Sequence, residues 1–168
     1  MAAIVTFSKP HMNTEILKIA EQLKEAYEGD PWFGKNAKAL LAEAEVVDVF
    51  ETPNGQHSIL ELLWHIITWR DFTLSRLRPA PGKNTTYYEQ HDWRKLDTAD
   101  KSLWHEGLKK LAAVHNELVE VLQQQQDSLL IEHVPERDYD FRKLLYGIVQ
   151  HDIYHLGQIA YITKLLKG

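Results

Sequence analysis

Two histidines near the carboxyl end of the chain have the spacing of a metal site. His151 and His155 are four residues apart in a segment with helical periodicity, so their imidazoles lie on one face of the predicted helix. An imidazole that projects from a core-directed face needs partners for both ring nitrogens, because an unpaired buried polar group costs free energy. A metal ion would satisfy one nitrogen on each ring, and oxygen acceptors would satisfy the other. The same face also carries three apolar residues, Leu144, Ile148 and Ile162.

A third histidine lies on a second predicted helix. His65 is placed between Leu62 and Trp69, beside the apolar seam of its helix, so it can face His151 and His155. Three imidazole nitrogens leave coordination positions for water or substrate, which is the catalytic rather than the structural arrangement. Imidazole suits several divalent ions, so Zn, Ni, Fe(II), Co and Mn all remain candidates. The competing interpretation is a set of hydrogen-bonded core histidines without a metal.

Two polar residues lie one helical turn from these histidines. Gln158 follows His155 on the same face, and we predict that it either hydrogen-bonds a ligand histidine or orients a bound water or substrate. Glu61 precedes His65 by one turn. It either accepts a proton from an activated water or forms a surface ion pair with a lysine, and the surface pair is favoured.

Other candidates surround the predicted site. His115, on the seam of the third long helix, is either a fourth ligand or proton carrier or a core histidine bonded to a neighbouring side chain, and the second reading is favoured. Trp69 either lines a pocket mouth or belongs to the core, and an aromatic residue at helical spacing is more often core. Asp152 points about 100° away from His151 round the helix, so we expect it to pair with another helix. The connection formed by residues 79–97 is long enough to cover the site.

Four long segments with helical periodicity position these residues. Apolar residues recur in them at three- and four-residue intervals, and no segment shows convincing β alternation. The pattern predicts an all-α protein, most simply a four-helix bundle, in a single domain of residues 1–168. The predicted helices span residues 13–28, 56–78, 98–126 and 139–167, with a further helical turn or two at 35–44.

Composition excludes several classes of protein. The 168 residues contain no cysteine, so disulfides, thiolate metal sites, iron–sulfur clusters and Cys nucleophiles are excluded. A net charge of −5 argues against nucleic acid as a main partner. There is no run of about 18 apolar residues, and the first twelve residues lack the basic lead and sustained apolar core of a secretory signal. We therefore expect a cytoplasmic protein with neither a membrane nor a nucleic acid as partner.

At three places the chain resembles the DinB-like (DinB/YfiT) superfamily of metal-dependent enzymes. Residues 145–159, LYGIVQHDIYHLGQI, are similar to the terminal helix of the family with its H-x-x-x-H-x-x-Q pattern. Residues 58–66, SILELLWHI, resemble the family's second helix with its single histidine. Trp32-Phe33-Gly34 followed by Leu40 resembles the aromatic–glycine linker after the first helix. The order and spacing of these segments cover nearly the whole chain, and the terminal helix is the most specific of them.

The resemblance implies both a fold and a site. The family fold is a four-helix bundle with up-down-down-up connectivity, which suits the long 79–97 connection. The family's metal triad corresponds to His65, His151 and His155, and we expect Zn or Ni there ahead of Fe, Co or Mn. Some members use a small-molecule thiol as co-substrate, so the resemblance implies a hydrolase or a thiol-dependent S-transferase that acts on a small molecule and forms a homodimer. The alternative is a dimeric bundle that binds a metal or another ligand without catalysis.

Overall fold

The structure is a computed structural model that describes residues 13–78 and 82–168. Within these ranges the secondary structure is helical, without a strand, so the prediction of an all-α protein is confirmed. Two short 3-10 helices, Pro53–Gly55 and Asp127–Ile131, lie in connections. The α-helices in chain order are α1 (Thr14–Glu28), α2 (Ala37–Ala44), α3 (Ile59–Leu77), α4 (Thr85–Gln90), α5 (Ser102–Gln123) and α6 (Phe141–Lys167).

Two expectations from the sequence concern residues outside the described ranges. They are the absence of a secretory signal in residues 1–12 and the beginning of the 79–97 connection, whose residues 79–81 lie outside these ranges. Among the described helices, none is both long enough and apolar enough to span a membrane.

The four long helices carry most of the core. α3 packs against α5 and α6, and α1 packs against the same two helices. Leu63 and Ile159 belong to one core cluster, and Leu118 and Leu145 belong to a second, and all four are fully buried. Burial of each such side chain stabilises the fold by about 1.5–3 kcal/mol. This packing holds α3 beside α6, the two helices that carry the three candidate ligands.

α3 begins with a reciprocal pair of hydrogen bonds. The Ser58 hydroxyl oxygen accepts the backbone N–H of Glu61 at 3.1 Å, and the Glu61 carboxylate accepts the backbone N–H of Ser58 at 2.8 Å. Such a capping box satisfies two of the free N–H groups at a helix start. The Glu61 carboxylate also lies 3.7 Å from Nδ1 of His57. In the described part of the chain its partners are therefore Ser58 and His57, in place of the expected lysine.

α5 is shorter than its periodicity predicts. It was expected over residues 98–126, but it spans Ser102–Gln123. The Asp100 carboxylate accepts the backbone N–H of Ser102 at 3.0 Å, and this local hydrogen bond favours a turn over a continued helix.

The connection between α3 and α5 contains the unexpected helix α4. The Asn84 side chain caps it by accepting the backbone N–H of Tyr87 at 2.9 Å. Tyr88 is buried, and its ring meets that of Phe72 edge-on with the centroids 5.3 Å apart. A helix of six residues is too short to show an amphipathic repeat, which is why the periodicity did not reveal it.

Candidate metal centre

His65, His151 and His155 come together where α3 faces α6. One ring nitrogen of each lies within 4.8 Å of those of the other two. Nε2 of His65 and Nε2 of His151 are 2.9 Å apart, and the centroid of the His155 ring is 4.5 Å from that of each other ring. His65 and His155 are buried, whereas the His151 side chain is 24% exposed. The three side chains that the sequence singled out therefore lie in one cluster with one exposed member.

Helical spacing and core packing explain this arrangement. His151 and His155 are one turn apart on α6, so their rings project from the same face. Ile148, a turn before them, is buried on that face, and Ile66 is buried next to His65 on α3. Ile66 shares a core cluster with Leu156 and Ile159 of α6, and this packing of the two helices brings the three imidazoles into their interface.

The outer nitrogen of His65 is held by Asp92, which follows α4. Nδ1 of His65 lies 2.9 Å from the carboxylate oxygen Oδ1 of Asp92 and 3.2 Å from its backbone oxygen. The same Oδ1 accepts the Nε1–H of Trp69 at 2.6 Å. Both oxygens are acceptors, so the hydrogen of a neutral His65 ring lies on Nδ1 and the lone pair lies on Nε2. Trp69 thus orients Asp92 beside the cluster.

The outer nitrogens of the other two histidines also face oxygens. The side-chain oxygen of Gln158 accepts the Nδ1–H of His155 at 2.6 Å. Nδ1 of His151 lies 3.4 Å from Oδ1 of Asp152, which is a long hydrogen bond. With Nδ1 protonated, each ring keeps its lone pair on Nε2. Gln158 therefore has the first of its two predicted roles, that of hydrogen-bonding a candidate ligand histidine.

The electrostatics of the cluster favour neutral imidazoles. Burial is the main cause that lowers the pKa of His65 to about 4; the neighbouring histidines contribute in the same direction, and the hydrogen bond to Asp92 opposes them. Burial also lowers the pKa of His155, with a smaller contribution from His151. Both rings are therefore uncharged at neutral pH, which is the form that binds a metal. Three imidazole nitrogens form a donor set that fits a divalent transition ion.

An aromatic stack covers the outer face of His65. The Trp93 ring lies parallel to His65 with the centroids 3.9 Å apart, and His57 stacks at 3.6 Å from Trp93. The 79–97 connection thus contributes Asp92 and Trp93 to the site. Sequence reasoning noticed this segment but did not assign Asp92 as the partner of His65, because contacts made by a long connection follow no spacing rule.

His115 lies in a buried polar network and is not a member of the cluster. Its Nδ1 accepts a hydrogen bond from Nη1 of Arg70 at 2.8 Å, and its ring stacks on Tyr27 with the centroids 4.0 Å apart. Burial, together with the positive charge of Arg70, lowers the pKa of His115 to about 3. The favoured expectation, a core histidine bonded to a neighbouring side chain, describes this arrangement.

Arg70 also forms a buried ion pair that links α3 to α6. Its Nε donates to Oδ2 of Asp152 at 2.7 Å, and both side chains are 2% exposed. Asp152 thus pairs with another helix, as its position on α6 predicted. Arg70 was missed in the sequence, since an arginine within a helix is most often exposed.

One cavity reaches the histidine cluster at His151, and a second lies next to Gln158, the hydrogen-bond partner of His155. One of about 350 Å³ reaches His151, and Trp69, Lys143 and Ile148 are among its walls. A larger one of about 630 Å³ lies beside Gln158. Residues without formal charge line it, namely Pro53, Asn54, Gln56, His57, Leu62, Tyr154, Gly157, Gln158, Tyr161, Ile162 and Leu165.

Comparison with known proteins identifies one family. The model of the DinB superfamily matches residues 19–159, a range that contains all three clustered histidines. No curated protein and no solved structure matches the chain.

Proposed function

Because this chain belongs to the DinB superfamily and clusters three histidines between α3 and α6, we propose that it is a divalent-metal-dependent enzyme. His65, His151 and His155 would hold one ion through their Nε2 atoms. One observation carries the proposal: each Nδ1 faces an oxygen acceptor, which leaves an Nε2 lone pair on each ring of a cluster whose candidate ligand atoms lie within 4.8 Å of one another. Lone pairs this close repel one another, and a cation bound by the three nitrogens would remove that repulsion.

The ligand set supports a catalytic rather than a structural ion. Among the described residues, no fourth histidine, aspartate or glutamate joins the group. His115, the fourth ligand considered from the sequence, instead accepts the hydrogen bond from Arg70. A three-nitrogen site leaves positions for exchangeable ligands. A divalent ion there lowers the pKa of a bound water or thiol and polarises a substrate. Since the chain has no cysteine, any thiol would be a small molecule.

The surrounding residues have separate tasks in this proposal. Asp92 and Gln158 hold the rings of His65 and His155 in one orientation. Trp93 excludes water from the outer face of His65. A small-molecule substrate would approach through the cavity at His151, because His151 is the most exposed of the three.

The proposal extends to architecture and metal. We place α1, α3, α5 and α6 in a single-domain four-helix bundle with up-down-down-up connectivity, as the family membership implies, and we propose a homodimer on the same ground. Zn or Ni is the preferred ion, ahead of Fe, Co and Mn. The chemistry is hydrolysis or the transfer of a small thiol to an electrophile.

Metal content is the first experiment. The untagged protein, purified without chelators or a nickel column, is analysed by elemental mass spectrometry together with His151→Ala and the control His105→Ala, whose side chain is exposed on α5. We expect about one equivalent of one metal in the wild type and the control, and almost none in His151→Ala. The absence of metal, with no uptake of Zn, Ni, Fe(II), Co or Mn on titration, would overturn the proposal.

A second experiment separates a catalytic ion from a structural one. In Co(II)-loaded protein, an open coordination position accepts azide and changes the visible absorption spectrum. A spectrum that azide leaves unchanged would indicate a closed site and a binding protein without catalysis. If the position is open, assays of ester or amide hydrolysis and of thiol transfer to an electrophile identify the reaction.

A further inference from the structure

The carboxylate of Asp152 lies between two donors, Arg70 and His151. Nε of Arg70 donates to Oδ2 at 2.7 Å, and Nδ1 of His151 lies 3.4 Å from Oδ1. Arg70 and Asp152 are both buried, so neither side chain can exchange its partner for water. Among the described residues, the carboxylate of Asp152 is therefore the link between the guanidinium of Arg70 and the ring of His151.

Hydrogen-bond polarity makes this link directional. A guanidinium only donates, so the atom of residue 152 that faces Arg70 must be an acceptor. A carboxylate has two acceptor oxygens, so it also accepts from His151 and keeps the hydrogen of that ring on Nδ1. A side-chain amide at position 152 has one oxygen only. Arg70 would claim that oxygen, and the NH₂ group would face Nδ1 of His151.

We propose that Arg70 is a positioning residue for the candidate metal centre: by orienting Asp152, it sets the tautomer of His151. With Nδ1 protonated, the Nε2 lone pair of His151 is available at the point where Nε2 of His65 lies 2.9 Å away. His115 completes the arrangement by accepting from Nη1 of Arg70, which fixes the guanidinium. The consequence for metal affinity rests on the proposed function, whereas the tautomer exists in the metal-free protein.

Asp92 provides a matched contrast. It is the outer partner of His65, and its single oxygen Oδ1 accepts from both Nδ1 of His65 and Nε1 of Trp69. Its side chain is 32% exposed. An amide at position 92 can keep its oxygen toward both donors and turn its NH₂ group to solvent. The same aspartate-to-asparagine change therefore has different consequences at the two positions.

The experiment compares Asp152→Asn with Asp92→Asn. Long-range ¹H–¹⁵N correlation spectra of the metal-free proteins report which ring nitrogen of each histidine carries the hydrogen. We expect His151 protonated at Nδ1 in the wild type and at Nε2 in Asp152→Asn, while Asp92→Asn leaves His65 protonated at Nδ1. An asparagine in place of the aspartate of a catalytic triad has the same effect on its histidine. Zn affinity should fall about 10- to 100-fold in Asp152→Asn and less than about threefold in Asp92→Asn.

A rescue variant tests the role of Arg70 itself. The side-chain amide of glutamine ends at the position of the arginine Nε, and its oxygen can accept a hydrogen bond. In Arg70→Gln/Asp152→Asn, the amide at position 152 can donate to position 70 and turn its oxygen back toward His151. We expect the Nδ1–H tautomer and most of the Zn affinity to return. This double variant buries no unpaired charge, so it remains a test if Asp152→Asn alone fails to fold, which circular dichroism and thermal unfolding will show.

The outcomes separate the two proposals. Three results would each overturn the role of Arg70. The first is a His151 ring that stays protonated at Nδ1 in Asp152→Asn. The others are an equal loss of Zn affinity in Asp152→Asn and Asp92→Asn, and a double variant that regains neither the Nδ1–H tautomer nor the Zn affinity. If the tautomer switches and returns as expected but the wild type binds no Zn, the role of Arg70 stands and the proposed metal function fails.

Discussion

Nε2 of His65 and Nε2 of His151 lie 2.9 Å apart across the interface of α3 and α6. The oxygens behind both rings hold their hydrogens on the outer nitrogens, so this short distance joins two lone pairs. Burial lowers the pKa of His65 to about 4, so at neutral pH this ring, with its hydrogen on Nδ1, carries no proton on Nε2. The pair is thus arranged for a cation, and several measurable consequences follow from that.

Metal binding should stabilise the fold, because the ligand nitrogens come from two helices that separate on unfolding. At a Zn concentration about 100 times the Kd, the free energy of unfolding should rise by about 2.7 kcal/mol, which is roughly 5–10 °C in Tm for a chain of this size. Thermal unfolding with Zn and with a chelator measures the shift. It should vanish in His151→Ala and persist in His105→Ala, and a shift of equal size in His151→Ala would place the bound metal elsewhere.

Replacing Gln158 with leucine should weaken metal binding by about 10- to 100-fold. Nδ1 of His155 loses its hydrogen-bond acceptor, so the ring is no longer held in one orientation. Competition with a chromogenic chelator measures the affinity. Gln150→Leu is the matched control, since Gln150 is an exposed glutamine on the same helix. Equal affinities for the two variants would show that the contact of Gln158 with His155 does not tune the site.

His115 should make the metal-free protein less stable in mild acid. Its pKa is about 3 in the folded state and near 6.5 when exposed, so the unfolded chain binds one more proton between these values. The contribution of His115 to the free energy of unfolding is therefore fully present above pH 6.5. It falls as the pH decreases below that value, by about 2 kcal/mol between pH 7.5 and 5.

The asparagine variant isolates this effect. In His115→Asn the side-chain oxygen can still accept from Arg70, but the group cannot be protonated. Urea unfolding measures how much the free energy of unfolding decreases between pH 7.5 and pH 5. This decrease should be about 2 kcal/mol smaller in His115→Asn than in the wild type. His105→Asn, at an exposed position, should keep the wild-type pH dependence. An unchanged decrease in His115→Asn would mean that His115 is protonated normally in the folded protein.

Trp93 should slow the release of a bound metal, because its ring covers the outer face of His65. Removing an aromatic stack of this kind costs about 0.5–1.5 kcal/mol, so Trp93→Ala should lose Zn to excess chelator roughly 3- to 10-fold faster. Stopped-flow absorbance measures the rate. Trp32→Ala is the control, since Trp32 is 99% exposed. Identical release rates in the two variants would count against a covering role for Trp93.

Periodicity in the sequence predicted the four long helices and the helix faces on which the three clustered histidines lie. Spacing of four residues places His151 and His155 on one face whatever the surroundings, and the apolar neighbours of His65 direct it toward the core. Capping contacts were less predictable where the partner is remote in the sequence. α1, for example, receives its cap from Asp127, whose carboxylate accepts the backbone N–H groups of Glu15 and Ile16 at 3.2 and 2.9 Å.

The sequence by itself determined which residues could bind a metal, because residue type and helical spacing are local properties. Only the tertiary structure decided which side chains hydrogen-bond to the outer nitrogens of these histidines. Asp92 reaches His65 from a connection, and Arg70 meets Asp152 between two helices, across 27 and 82 residues of chain. Such contacts depend on how the helices pack and where a long connection returns. No local pattern encodes that geometry, although it controls the orientation and protonation of the three imidazoles.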